Sequence, residues 1–193
     1  MEGSQWPPLI LASGSPRRRE ILRQLGLPFQ VKVPDVDEDA IHGVGPADLA
    51  LRRAVAKAEA VDCPGRLVLA ADTLVALGGR VYGKPKGPAD AEAMLADLCG
   101  RQHDVWSGIC LAAGGRRWSE AVRTRVWLRG ADARAIAAYV ATGEPLDKAG
   151  AYAAQGRGAA LVERVDGCFW NVVGLPVSAL VQGLRVLGYG VWP

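Results

Sequence analysis

Leu67-Val68-Leu69-Ala70-Ala71-Asp72 is an unbroken apolar run of strand length that ends on a carboxylate. A strand with one wet face alternates polar and apolar residues, whereas a continuous run suits a strand covered on both faces, in a parallel or mixed sheet. The flanking segments are helical. Pro46 opens a helix through about Val61 with Leu51, Val55 and Ala58 on its apolar side, and Pro88 starts another with Met94, Leu95 and Leu98, stopped by Gly100. Farther toward the N-terminus, Leu9–Ala12 reads as a second buried strand. Ser15 then caps a helix with Pro16 at its first position, Ile21, Leu22 and Leu25 at helical spacing, and Gly26 as its stop. Phe29, Val31 and Val33 alternate as in a strand.

Toward the C-terminus, Val105–Ala112 and Trp118–Leu128 read as strands joined by the Gly114-Gly115 turn. A helix over Ala131–Ala141, a polar loop over Gly143–Gly150, a strand over Ala160–Val165 and a helix over Pro176–Leu187 complete the chain. Helices alternating with strands, broken by one long hairpin, predict an α/β fold: a mixed, twisted sheet with flanking helices. No linker marks a boundary, so residues 1–193 are expected to form one domain.

Half of the 193 residues are hydrophobic, which supplies a substantial core, and the formal net charge is only +3. The densest basic run is Arg17-Arg18-Arg19, and the Trp residues are scattered. A nucleic-acid-binding domain would carry a basic face or stripe, so none is expected. No signal peptide or membrane span is recognisable, which predicts no membrane association and a cytoplasmic location. Cys63, Cys99, Cys110 and Cys168 form no CxxC pair, so they are expected to be buried free thiols rather than zinc ligands or disulfides.

Several segments could carry chemistry. Ser13-Gly14-Ser15-Pro16-Arg17-Arg18 joins a strand to a helix, where free N–H groups and paired guanidinium donors suit a polyphosphate. The same residues also fit a capped helix with solvated arginines, and the P-loop pattern is absent. Asp72, read at the carboxyl end of a buried strand, stands where α/β sheets bind ligands. With the Thr73 hydroxyl it could bind a metal or activate water, or it could cap a turn. Asp35, Asp37, Glu38 and Asp39 form an acidic cluster that fails as an EF-hand, since Ala40 replaces the turn glycine and Pro46 the bidentate Glu. It reads as a solvated loop, or as the source of a second oxygen ligand. Lys57 follows Arg53 by one helical turn and reads as part of a solvated helix face, and Lys84 lies in the tight loop Tyr82-Gly83-Lys84-Pro85, where its ammonium could reach the same pocket. Gln155, with a donor and an acceptor, suits a base edge. His42 and His103 show no triad pattern.

Taken in order, several pieces resemble the Maf family of nucleotide pyrophosphatases. They are Leu11-Ala12-Ser13-Gly14-Ser15-Pro16-Arg17-Arg18, Ala71-Asp72-Thr73, Gly83-Lys84-Pro85, Glu144-Pro145-Leu146-Asp147-Lys148-Ala149-Gly150-Ala151-Tyr152, Gln155-Gly156 and Val172-Val173-Gly174-Leu175-Pro176. The resemblance runs from about Leu9 to Leu187. It implies a two-lobed fold similar to that of inosine triphosphate pyrophosphatase, with a central cleft, and hydrolysis between the α- and β-phosphates with a divalent cation, Mg²⁺ or Mn²⁺. By position it implies Asp72 as proton acceptor or metal ligand and Glu38 as the acidic residue after the second strand; Glu38 and Asp72 are the expected metal ligands, with Lys84 beside them in catalysis. Ser13, Arg17, Arg18, Lys57 and Lys84 match its substrate-contacting positions.

Members similar to dTTP/UTP pyrophosphatases have Arg directly after Ser-Pro, Thr after the Asp, and Gln in the late loop. Arg17, Thr73 and Gln155 match all three, so a pyrimidine triphosphate is the expected substrate. The 7-methyl-GTP type typically carries an aromatic residue, Gln and Glu there. A modified-purine pyrophosphatase, or a nucleotide-binding regulator of cell division without turnover, is the alternative. The resemblance also suggests a homodimer. Cys168-Phe169-Trp170-Asn171 is bulkier than the family pattern, and Met1–Pro8 and Gly188–Pro193 find no counterpart.

Overall fold

The computed structural model describes residues 7–61 and 63–191; parts of both unmatched ends therefore lie outside the described residues. Among the described residues, seven strands form one sheet. They are β1 (Leu9–Leu11), β2 (Phe29–Val31), β3 (Leu67–Leu77), β4 (Arg80–Tyr82), β5 (Gln102–Ala113), β6 (Arg116–Leu128) and β7 (Val162–Asp166). The order is β2-β1-β3-β5-β6-β7, with β4 also on β3. β1 is parallel to β2 and β3, and the remaining pairs are antiparallel, so the sheet is mixed as expected.

β3 is longer than its apolar run. It continues through Asp72 and Thr73 to Leu77, so Asp72 lies in mid-strand and not at a strand end. The expectation failed because two polar residues ended the apolar signal while the backbone ladder to β5 continued. Along its other edge, β3 pairs with β1 at Leu67–Leu69 and with β4 at Val75–Leu77. Among the described residues, no strand pairs with that edge between those stretches. Asp72 and Thr73 stand in this gap.

Among the described residues, six α-helices flank the sheet: α1 (Pro16–Gln24), α2 (Pro46–Glu59), α3 (Pro88–Leu98), α4 (Ala133–Val140), α5 (Phe169–Val173) and α6 (Val177–Val186). Strand alternation assigns their faces. Val68 and Ala70, with Ile10, Ala12 and Cys110, pack beneath Ala54, Ala58 and Val61 on and after α2. The opposite face carries two separate apolar clusters. Leu67, Leu69 and Ala71 join Leu9, Leu11, α1 and α6 in one; Val75 and Val105 join α3 and α4 in the other. Each fully buried Leu in these clusters contributes about 1.5–3 kcal/mol. Thr73 and Ser107, register partners on that face, form the polar seam between the clusters.

The short strand β4 and helix α5 were not anticipated, because neither is long enough to show periodicity. The segment Gly156–Leu161, in part read as strand, is a 3-10 turn that precedes β7. The polar loop after α4 also contains 3-10 turns, at Glu144–Asp147 and Ala149–Ala151. All four cysteines are free, but only Cys110 is buried; Cys63, Cys99 and Cys168 are half-buried. Among the described residues, no helix is long and apolar enough to cross a membrane.

Candidate functional site

Packing of α2 against the sheet creates the site's central ion cluster. Ala50, Ala54, Lys57 and Ala58 form the buried stripe of α2. The helix comes close because β5 offers Gly108 beneath it; a Cβ there would land on the Ala50 carbonyl oxygen. Lys57 is thereby brought over β3, where its Nζ lies 2.6 Å from Asp72 Oδ1 and 2.8 Å from Glu38 Oε1. Lys57 is not a solvated helix residue: its side chain is 8% exposed, and that of Asp72 is 7%. The second Asp72 oxygen, Oδ2, is buried without a protein partner.

Glu38 opens a 3-10 turn, Glu38–Ala40, with Asp37 capping it by accepting from the Asp39 N–H at 3.1 Å. Arg53 approaches Glu38 at 3.8 Å and Asp39 at 3.9 Å. Burial pushes the Glu38 carboxyl upward, but Lys57, with Arg53 and Lys84 farther off, outweighs it and holds the carboxyl below its ordinary range. Of the acidic cluster, Glu38 is thus the member drawn into the site.

A second group of polar residues lies at the seam. Arg18 is buried; its Nε donates to the Gly174 carbonyl at 2.8 Å and its guanidinium to Ser13 Oγ at 2.9 Å and Thr73 Oγ1 at 3.4 Å. Burial lowers the Arg18 pKa, and the charge of Asp72 opposes that shift. Ser13 Oγ also accepts from the Ser15 N–H at 3.2 Å, while the Ser15 side chain makes no capping bond. The hydroxyls of Thr73 and Ser107 are 2.7 Å apart. Ser13, Arg18 and Thr73 are therefore gathered into one network, with their hydrogen-bonding groups already directed at one another.

Arg17, Lys84 and Gln155 lie at the periphery. Arg17 is tied to the late loop by its ion pair with Asp147 at 3.0 Å. Lys84 is exposed, and its loop is pinned to the late loop through the Gly150 N–H, which donates to the Gly83 carbonyl at 3.1 Å. Gln155 is exposed beside a 3-10 turn. The structure thus brings together Glu38, Lys57 and Asp72, and separately Ser13, Arg18 and Thr73. Among the described residues, the side-chain hydrogen bonds of Arg17 and Thr73 go to other partners than Gln155.

The donor set fits a divalent cation. Asp72 Oδ2 is an orphaned buried oxygen and Glu38 a half-exposed carboxylate, and both are hard ligands. Mg²⁺ is usually held by one or two protein carboxylates with substrate phosphates and water completing its shell. Among the described residues, no group of three or more His, Cys, Asp or Glu stands together as a metal site. Arg17, Arg18, Arg53, Lys57 and Lys84 outnumber the carboxylates Glu38, Asp39, Asp72 and Asp147, which suits a polyanion.

Sequence reasoning missed Arg53, Ser107, Gly108 and Asn171. Asn171 Nδ2 donates to the Val105 and Val122 carbonyls at 3.1 and 3.2 Å and to Thr124 Oγ1 at 3.0 Å. The bulky Cys168–Asn171 segment is thus anchored to β5 and β6. Its apolar surroundings were readable, but these long-range acceptors were not.

The family model described as Maf-like protein matches residues 8–187. The dTTP/UTP pyrophosphatase of Symbiobacterium thermophilum is 50% identical over 186 residues, covering 95% of this chain and 96% of that protein. The dTTP/UTP pyrophosphatase of Gloeobacter violaceus is 53% identical over 177 residues, covering 90% and 93%. Among solved structures, the Ham1 protein of Staphylococcus aureus aligns over 65% of this chain and 72% of that one, with 20% identity and a TM-score of 0.44.

Proposed function

The chain belongs to the Maf family, and from that premise we propose that it hydrolyses dTTP and UTP to the monophosphate and pyrophosphate. The observation that carries this reading is the buried Asp72, held at Oδ1 by Lys57 with Oδ2 unpartnered, beside Glu38 and near the guanidiniums of Arg18 and Arg53. The substrate class is supported by the relatives' names and by Arg17, Thr73 and Gln155.

Asp72 Oδ2 takes a proton from the attacking water, whose oxygen bonds to the α-phosphorus. The bond from that phosphorus to the α–β bridging oxygen breaks, and pyrophosphate leaves with the electron pair. Glu38, with substrate phosphates and water, would hold a divalent cation, which, when bound, supplies positive charge to the triphosphate and makes water more acidic, while Asp72 Oδ2 stays free for the proton. Lys57 fixes Asp72 and Glu38 relative to each other. Arg17, Arg18 and Lys84 offset the negative charge on the leaving group, and such fixed charges dominate phosphoryl transfer. Arg17 must exchange Asp147 for phosphate oxygen; as a partly exposed pair, Arg17–Asp147 is worth about 0–1 kcal/mol and opposes this little.

Pyrophosphate release from a panel of canonical and modified triphosphates, with Mg²⁺, Mn²⁺ or EDTA, tests the reading. Metal-dependent release favouring dTTP and UTP is expected. Preference for a methylated purine would overturn the substrate assignment, and binding without release would overturn the enzymatic one.

A further inference from the structure

We propose that Glu144 is a positioning residue for substrate selection, fixing the segment that presents Gln155. This inference rests on the pyrimidine reading above.

Glu144 begins the 3-10 turn after α4. Its Oε1 accepts from the Arg157 N–H at 3.0 Å; its Oε2 accepts from the Gly158 N–H at 2.7 Å and from the Tyr139 hydroxyl at 2.8 Å. The same Tyr139 oxygen accepts from the Ala153 N–H at 3.1 Å. Backbone on both sides of Gln155 is therefore tied to one carboxylate–phenol pair. The pair is rooted in the core, since Tyr139 is a buried residue of α4.

Gly156, immediately after Gln155, has φ 74°, and a Cβ there would land on Glu144 Oε1. The carboxylate thus packs directly against the main chain beside the base-reading candidate. Among the described residues, no main-chain hydrogen bond joins residues 153–158 to another element. Glu144 and Tyr139 supply that attachment. Burial pushes the Glu144 carboxyl upward, yet the bonds from Arg157, Tyr139 and Gly158 and the charge of Lys148 outweigh it and hold it below its ordinary range.

Glu144 commits both oxygens to protein donors, so it acts through Gln155 and not on the substrate. Removing it leaves N–H and O–H groups without acceptors and lets the segment move. The loss falls on discrimination between bases, because the Lys57–Asp72 pair belongs to other elements.

The test measures kcat and KM for dTTP, UTP, dATP and dGTP in the wild type, Glu144→Ala, Glu144→Gln and Tyr139→Phe, with amide exchange over residues 153–158. In Glu144→Ala, the pyrimidine preference in kcat/KM falls about tenfold, mainly through a higher KM for dTTP and UTP, and exchange in the segment rises. Glu144→Gln keeps one carbonyl oxygen and restores part of the preference. Tyr139→Phe shifts it in the same direction as Glu144→Ala but less. Unchanged preference in a folded Glu144→Ala overturns the inference. If that variant does not fold, unchanged preference in both Glu144→Gln and Tyr139→Phe overturns it. A wild type that lacks pyrimidine preference overturns the substrate reading and removes the basis of the inference; this failure is visible without any variant.

Discussion

Lys57 Nζ stands between Asp72 Oδ1 at 2.6 Å and Glu38 Oε1 at 2.8 Å, so one ammonium joins α2 to β3 and to the turn after β2. Breaking a buried pair by deleting one partner leaves an uncompensated charge, at a cost of about 3–5 kcal/mol. Lys57→Met is expected to lose stability on that scale and to lose turnover. Adding Asp72→Asn should recover part of the stability but none of the activity. Urea unfolding of the single and double variants measures this; a loss under about 1 kcal/mol in Lys57→Met would show that the pair is not kept dry.

Asp72→Asn separates chemistry from architecture. The amide oxygen can still accept from Lys57, so the fold is expected to persist by circular dichroism. Turnover of dTTP should fall by about 10²–10³, by analogy with removal of one preorganised catalytic group. Wild-type turnover in this variant would remove Asp72 from the proton-accepting role.

A pH effect is expected from outside the site. His103 is buried, its Nε2 is 2.8 Å from the Tyr152 hydroxyl, and its Nδ1 has no partner. Burial pushes its pKa down from 6.5 to about 4, with Asp104 opposing weakly. Between those values the unfolded chain binds the proton and the folded chain does not, so stability falls as pH falls. The contribution is fully present above pH 6.5, and roughly 2 kcal/mol of it is lost by pH 5. Urea midpoints across that window should slope for the wild type and flatten for His103→Phe. Equal slopes would rule His103 out as the source.

What was legible in the sequence followed the range of the interactions involved. The strand at Leu67 and the helix after Pro46 announce themselves through neighbouring residues, and the structure contains both. Asp72 was recognised as a carboxylate needing a partner, but its place in mid-strand was hidden. What allows a charged residue there is Lys57, delivered by the packing of another element. Gln155 was recognisable by chemistry, whereas the tie from Glu144 to the Arg157 and Gly158 N–H groups is a tertiary contact with no periodic signature. The short elements β4 and α5 escaped for a related reason: α5 is held in part by Asn171 reaching β5 and β6, not by an amphipathic stripe of its own.

Gly108, the register partner of Asp72 on β5, makes this dependence on tertiary contact testable without altering any reacting group. A Cβ at this position meets the Ala50 carbonyl and the main chain of Leu51, not a flexible side chain that could turn away. Gly108→Ala must therefore displace α2 as a body, at a cost of about 1–3 kcal/mol for overpacking. Lys57 moves with the helix, so its contacts with Asp72 and Glu38 lengthen and turnover falls, although the side chains of all three are unchanged. Ala50→Gly should not rescue the variant, because the clash is with backbone atoms that glycine retains. Thermal unfolding together with dTTP turnover checks both halves. A Gly108→Ala protein with wild-type stability and activity would show that α2 need not approach the sheet this closely to place Lys57.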